Sequence, residues 1–148
     1  MLTNSEWRYL IFYRTNANAL CGTASVNGVN GCVLLPDNWS TPTGVTFQVE
    51  ERNKPVDGYV VNTYSASEWA VMESYGAVFL PAAGSRDGNF LPPGDAFERW
   101  GAYWSSTIAE FKYSYAVVWF DEDEYEYDCG RVPMSIGLSV RLVQDVKK

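Results

Sequence analysis

Polar and apolar residues alternate along this chain with two different periods, and the change of period divides it. Thr3-Asn4-Ser5-Glu6 has the Ser/Thr-x-x-Glu spacing in which an N-cap hydroxyl and an N3 carboxylate satisfy each other's orphan backbone donors. Trp7, Leu10, Ile11 and Arg14 then recur at helical spacing, which predicts a helix over 4–14. The polar run 15–18 ends it. Thr23 to Val26 and Cys32 to Leu35 read as short strands flanking Asn27-Gly28-Val29-Asn30-Gly31, whose Asn and Gly residues supply the positive φ that a hairpin needs. Pro36-Asp37-Asn38 is a turn, and Val45-Thr46-Phe47 suits another short strand. The charged run 50–57 reads as a solvated loop. Ser65-Ala66-Ser67-Glu68 repeats the capping pattern and opens a second helix carrying Trp69 and Met72, with Gly76 just beyond its end.

After Gly76 the helical period disappears. Ala77 to Leu80 has the composition of a buried strand, and 81–100, rich in Gly and Pro, predicts a long ordered loop. Tyr103 to Ser105, Tyr113 to Asp121, Glu124 to Asp128 and Gly137 to Val143 are strand-like. Helix, small strands, helix and a strand-rich second half predict an α+β fold with a mixed, mainly antiparallel sheet. Trp7, Trp39, Trp69 and Trp104 are expected to be largely buried, and Val118, Phe120, Leu138 and Val140 to join the core.

Composition narrows the chemistry. With 148 residues the chain suits a single domain over 1–148, long enough to bury about 70 % of its unfolded surface. Hydrophobic residues at 47 % and charged residues at 20 % argue against disorder. Eleven Lys and Arg against 18 Asp and Glu give a net charge of −7, which disfavours nucleic acid and anionic membranes as partners. The sequence has no histidine, so Ser-His-Asp and Cys-His catalysis and His-ligated zinc are excluded. No run of 18 apolar residues is present, so insertion into a membrane by this segment is not expected. Residues 1–6 lack the basic and apolar regions of a signal peptide. The three cysteines, Cys21, Cys32 and Cys129, do not form a disulfide framework. Cys21 and Cys32 flank the hairpin turn; they face each other across it or serve as two small buried thiols, the second reading being favoured.

Four phrases occur in a telling order: Leu34-Leu35-Pro36-Asp37-Asn38-Trp39, residues 77–84 (AVFLPAAG), Tyr103-Trp104-Ser105-Ser106-Thr107 and residues 137–143 (GLSVRLV). Together they resemble the Fibrobacter succinogenes major paralogous domain family, over nearly the whole chain from Leu2 to Val143. The resemblance implies a C-type-lectin-like fold, shared with the variable proteins of diversity-generating retroelements and with formylglycine-generating enzymes. It also implies a strand, and often a secretion signal, ahead of the first helix, leaving room for an upstream N-terminal segment. A gut bacterium or its phage is the source it implies, and the expected location is secreted, on the cell surface or on a phage particle.

The resemblance leaves several functions to weigh. Formylglycine-type oxidation needs two reactive cysteines close together beside a groove, and no such pair stands out. Calcium-dependent sugar binding needs clustered oxygen ligands; the Glu-Pro-Asn, Gln-Pro-Asp and Trp-Asn-Asp phrases of calcium-binding lectins are absent, so no metal or other cofactor is expected. Carboxylates at 121–128 suit a solvated hairpin better than a glycosidase pair. Between 110 and 136 aromatic and polar residues alternate. Phe111, Tyr113, Trp119, Tyr125, Tyr127 and Arg131 are the candidate ligand-binding residues, of types that bury much area at low entropic cost. The expected function is therefore a non-enzymatic ligand-binding or adhesion module that presents these side chains on its C-terminal strands to a protein or glycan. The alternative is an enzyme of the formylglycine-generating type. Retroelement mutagenesis acts on adenines of Asn codons. It can produce Tyr125, Tyr127, Asp128 and Arg131 but not Glu110, Lys112, Trp119, Glu122 or Met134, so diversification of this region is not indicated.

Overall fold

A computed structural model describes residues 1–49, 58–88, 99–108, 113–121 and 131–144; over 113–119 and at 131 it describes the backbone alone. The architecture is α+β, with two short helices and a mixed sheet. Both predicted capping boxes form. Helix α1 (Asn4–Arg8) starts at Thr3, whose Oγ1 accepts from Glu6 N–H while the Glu6 carboxylate accepts from Thr3 N–H. Ser65 and Glu68 do the same for α2 (Ala66–Ser74). The backbone bond from Thr3 holds the Glu6 carboxyl below its usual 4.5, and the side-chain bond from Ser65 does so for Glu68. The first helix continues as a wider π turn (Tyr9–Tyr13), closed by Arg14 N–H donating to Tyr9 O at 3.0 Å. Gly76, at φ +93°, terminates α2 as expected.

Strands β1 (Cys21–Val26) and β2 (Val29–Leu34) pair antiparallel. Their turn is tighter than the sequence suggests: Asn27 (φ 49°) and Gly28 (φ 80°) complete it alone, so Val26 already faces Val29. β3 (Thr63–Tyr64) joins β1 in parallel and β4 (Val78–Pro81) joins β2 antiparallel, giving the order β3-β1-β2-β4.

This sheet is buried on both faces, and the two-residue period of a strand explains how. Cys21, Cys32, Leu34 and Leu80 share one core cluster with Trp7 and Ile11 of the first helix and with Tyr103 and Phe120. Ala24, Val26, Val33 and Ala77 share the other with Met72 of α2. The capped helices thus cover opposite faces. β5 (Arg86–Asp87) pairs with β9 (Ile136–Gly137); β6 (Trp100–Ile108), β7 (Tyr113–Asp121) and β8 (Arg131–Pro133) form an antiparallel sheet. The two larger sheets are tied by Gly84 N–H to Trp100 O at 2.8 Å and by the Tyr103 hydroxyl donating to Pro81 O at 2.9 Å.

Three expectations need correction. Val45-Thr46-Phe47 forms no strand, because side chains stand where a neighbouring strand would be. Asn62 accepts from Gln48 N–H at 2.8 Å and donates to Gln48 O at 3.1 Å, and the Tyr64 hydroxyl donates to Thr46 O at 2.7 Å. Beyond β9, 138–143 makes one bridge, Ser139 to Tyr103, rather than a strand. Val140, placed in the core by its apolar character, is 49 % exposed because no strand among the described residues lies over it. The four tryptophans are largely buried as expected: Trp7 fully, and Trp39, Trp69 and Trp104 with only part of each ring at the surface, Trp39 and Trp69 packing against the second core cluster. Leu138 is also half-buried, Phe120 is in the core, and the Val118 side chain lies outside the described residues. So do the loop 50–57, residues 89–98 of the loop expected at 81–100 and the strand expected at 124–128.

Candidate functional site

Two regions carry candidate chemistry. The first is the strand surface expected from the sequence. Phe111, Tyr125 and Tyr127 lie outside the described residues. Tyr113 and Trp119 lie on β7 and Arg131 on β8, where the backbone register pairs Tyr113 with Pro133 and Tyr115 with Arg131. The sheet therefore juxtaposes two segments about fifteen residues apart that both carry candidates. Between β6 and β7 the register slips: Tyr103 pairs with Val118 but Trp104 with Ala116, leaving Val117 as an extra residue. The two-residue repeat is interrupted there, so strict alternation relates Tyr113 to Tyr115 but does not extend to Trp119.

The second region is a pocket of about 510 Å³ between the first helix, the β2 and β4 edge and the extended 141–144 segment. Its apolar wall includes Leu2, Leu10, Leu34, Val78 and Leu80. Arg14, at the end of the π turn, is the unusual member, with a side chain only 2 % exposed. Nη1 donates to Leu35 O at 2.7 Å and to Asp37 Oδ1 at 3.1 Å, and Nη2 donates to Leu20 O at 3.0 Å. The guanidinium thereby ties the first helix to both ends of the β1–β2 hairpin. Asp37 is 63 % exposed, so solvent screens the ion pair and the carbonyl bonds hold the arginine.

Two buried donors in this pocket have no acceptor among the described residues: Arg14 Nε and Trp7 Nε1. A buried N–H left unpaired costs about 1–3 kcal/mol; both belong to residues that line this cavity, and both atoms are closed to solvent. Arg141 adds an exposed guanidinium at the rim. None of the three was a candidate from sequence. The legible signal was Arg14 in helical register with Trp7, Leu10 and Ile11, a permanent charge on an otherwise apolar face.

The cysteines alter the sequence reading in one respect. Cys21 and Cys32 do meet, Sγ to Sγ at 3.5 Å, so a close pair exists where none stood out. Both are unoxidised and fully buried, at 1 % and 0 % exposure, and neither lines the pocket. Cys129 lies outside the described residues. Among the described residues no three His, Cys, Asp or Glu side chains come together as metal ligands, and no helix is long and apolar enough to cross a membrane.

Comparison of the chain with protein-family models, with curated proteins and with solved structures returned no match.

Proposed function

We propose that this chain is a non-enzymatic binding or adhesion module with a C-type-lectin-like fold. In this reading it is related to the Fibrobacter succinogenes major paralogous domain family and is secreted by, or displayed on, a gut bacterium or phage particle. It recognises a protein or glycan through its C-terminal strands. The observation that supports this best is the β7–β8 register, which sets Tyr115 beside Arg131 and Tyr113 beside Pro133. Tyrosines next to an arginine on paired strands offer large, stiff contact area with hydroxyl and guanidinium donors at its edge. Acidic neighbours at 122, 124, 126 and 128 favour a cationic or polar partner over an anionic one.

The test is a double variant, Tyr125→Ala with Tyr127→Ala, applied to a printed glycan array and to immobilised mucin. Binding by the parent chain, lost in the variant with Tm changed by no more than about 2 °C, supports the reading; surface substitutions rarely cost more than about 0.5 kcal/mol. A large fall in Tm means the rings belong to the core and removes the main support.

The sulfur contact between Cys21 and Cys32 favours a second reading, an enzyme of the formylglycine-generating type. Such a pair needs access and thiolate character. Rapid alkylation of Cys21 and Cys32 by iodoacetamide in the native chain at neutral pH supports the enzyme; protection until the chain unfolds supports the binding module.

A further inference from the structure

The pocket beneath the 141–144 segment is a site distinct from the strand surface, and its chemistry specifies a class of ligand. We propose that it binds a small linear amphipathic carboxylate. The head group accepts from the Arg141 guanidinium, and the hydrocarbon body lies against Leu10, Leu34, Val78 and Leu80.

Four observations carry this. The volume, about 510 Å³, lies within the roughly 300–1,000 Å³ range of small-molecule pockets. The wall is mostly aliphatic, which suits a chain rather than a sugar. Among the described residues its charged members are Arg14, Arg141 and Asp37; Arg14 and Asp37 already pair at 3.1 Å, so these leave one surplus positive charge, matched by one carboxylate. Finally, Arg14 holds its two Nη groups on Leu35 O, Asp37 and Leu20 O and its side chain is only 2 % exposed, so Arg141 is the cation left for the head group.

The experiment is isothermal titration calorimetry of the intact chain with octanoate and with 1-octanol, which share the hydrocarbon and differ in charge. Octanoate is expected to bind one per chain, at least tenfold tighter than octanol. Arg141→Gln, an exposed position that leaves the core untouched, should weaken octanoate about tenfold and leave octanol unchanged. In ¹H–¹⁵N spectra octanoate should shift one of the six tryptophan indole N–H cross-peaks. Equal affinity for the two probes, or indifference of octanoate to Arg141→Gln, overturns the carboxylate assignment. No binding of either probe overturns the site. The Tyr125→Ala, Tyr127→Ala chain should bind octanoate like the parent, so this proposal and the strand-surface reading fail independently.

Discussion

Replacing Arg14 by methionine tests what the buried guanidinium does for the fold. Methionine keeps an unbranched stem of similar reach, so packing along the helix is largely retained. Lost are the bonds to Leu35 O at 2.7 Å and Leu20 O at 3.0 Å. Hydrogen bonds from a charged donor contribute about 1.5–3 kcal/mol each. Leu20 O keeps a second donor, Leu35 N–H at 2.9 Å, which limits the damage at that end. Against the loss stands relief of the unpaired Nε–H, about 1–3 kcal/mol, and of a buried charge. The net expectation is a destabilisation of about 2–3 kcal/mol. For a chain of this length it lowers Tm by roughly 4–12 °C in a calorimetric or circular-dichroism melt. Asp37→Asn removes only the screened ion pair and should cost about 0–1 kcal/mol. Equal losses in the two variants would refute the argument, since the ion pair and not the carbonyls would then hold the arginine. A gain in stability for Arg14→Met would refute it too, by showing that desolvation of the charge outweighs its bonds.

Two further outcomes follow from the packing. Gly101 faces Phe120 in register, and a Cβ added there would overlap that ring, meeting Cε1 and Cε2 at 2.9 Å; Phe120 is 1 % exposed, within the core. Gly101→Ala should therefore cost about 1–3 kcal/mol through overpacking, and an unchanged denaturant midpoint would show that the core yields. Burial pushes the Tyr64 and Tyr103 hydroxyls up to about 12 from 10. The folded chain thus holds protons that the unfolded chain releases above pH 10. Their contribution is fully present below pH 10 and is lost as pH rises from about 10 to 12. Tyrosinate absorbance should show two delayed groups that ionise with unfolding, and Tyr64→Phe should lessen the alkaline loss of stability; titration of all tyrosines near 10 before unfolding would contradict this.

Local chemistry was readable from the chain because each local device closes over a few residues. Both capping boxes, the Asn-Gly turn and the Gly76 stop need only neighbours in sequence, and all formed where their residues stand. The strand expected at Cys32 to Leu35 also formed over most of its length, and its two-residue repeat puts Cys32 and Leu34 on one face and Val33 on the other. Tertiary structure decided what depends on a distant partner. Val45 to Phe47 has strand composition, but Asn62 and Tyr64 occupy its backbone groups. Val140 is apolar, yet no strand among the described residues lies over it and it stays 49 % exposed. A one-residue slip at Val117 interrupts an alternation that the sequence shows as continuous. The pocket depends most on assembly. It takes Trp7 and Arg14 from the first helix, aliphatic side chains from β2 and β4 and a rim from 141–144, segments spread over more than 100 residues of the chain, and only their packing reveals that Arg14 Nε and Trp7 Nε1 have no acceptor. A sequence states which groups can donate; whether a buried donor is left unpaired is settled by the residues that the fold brings to it, and those come from across the chain.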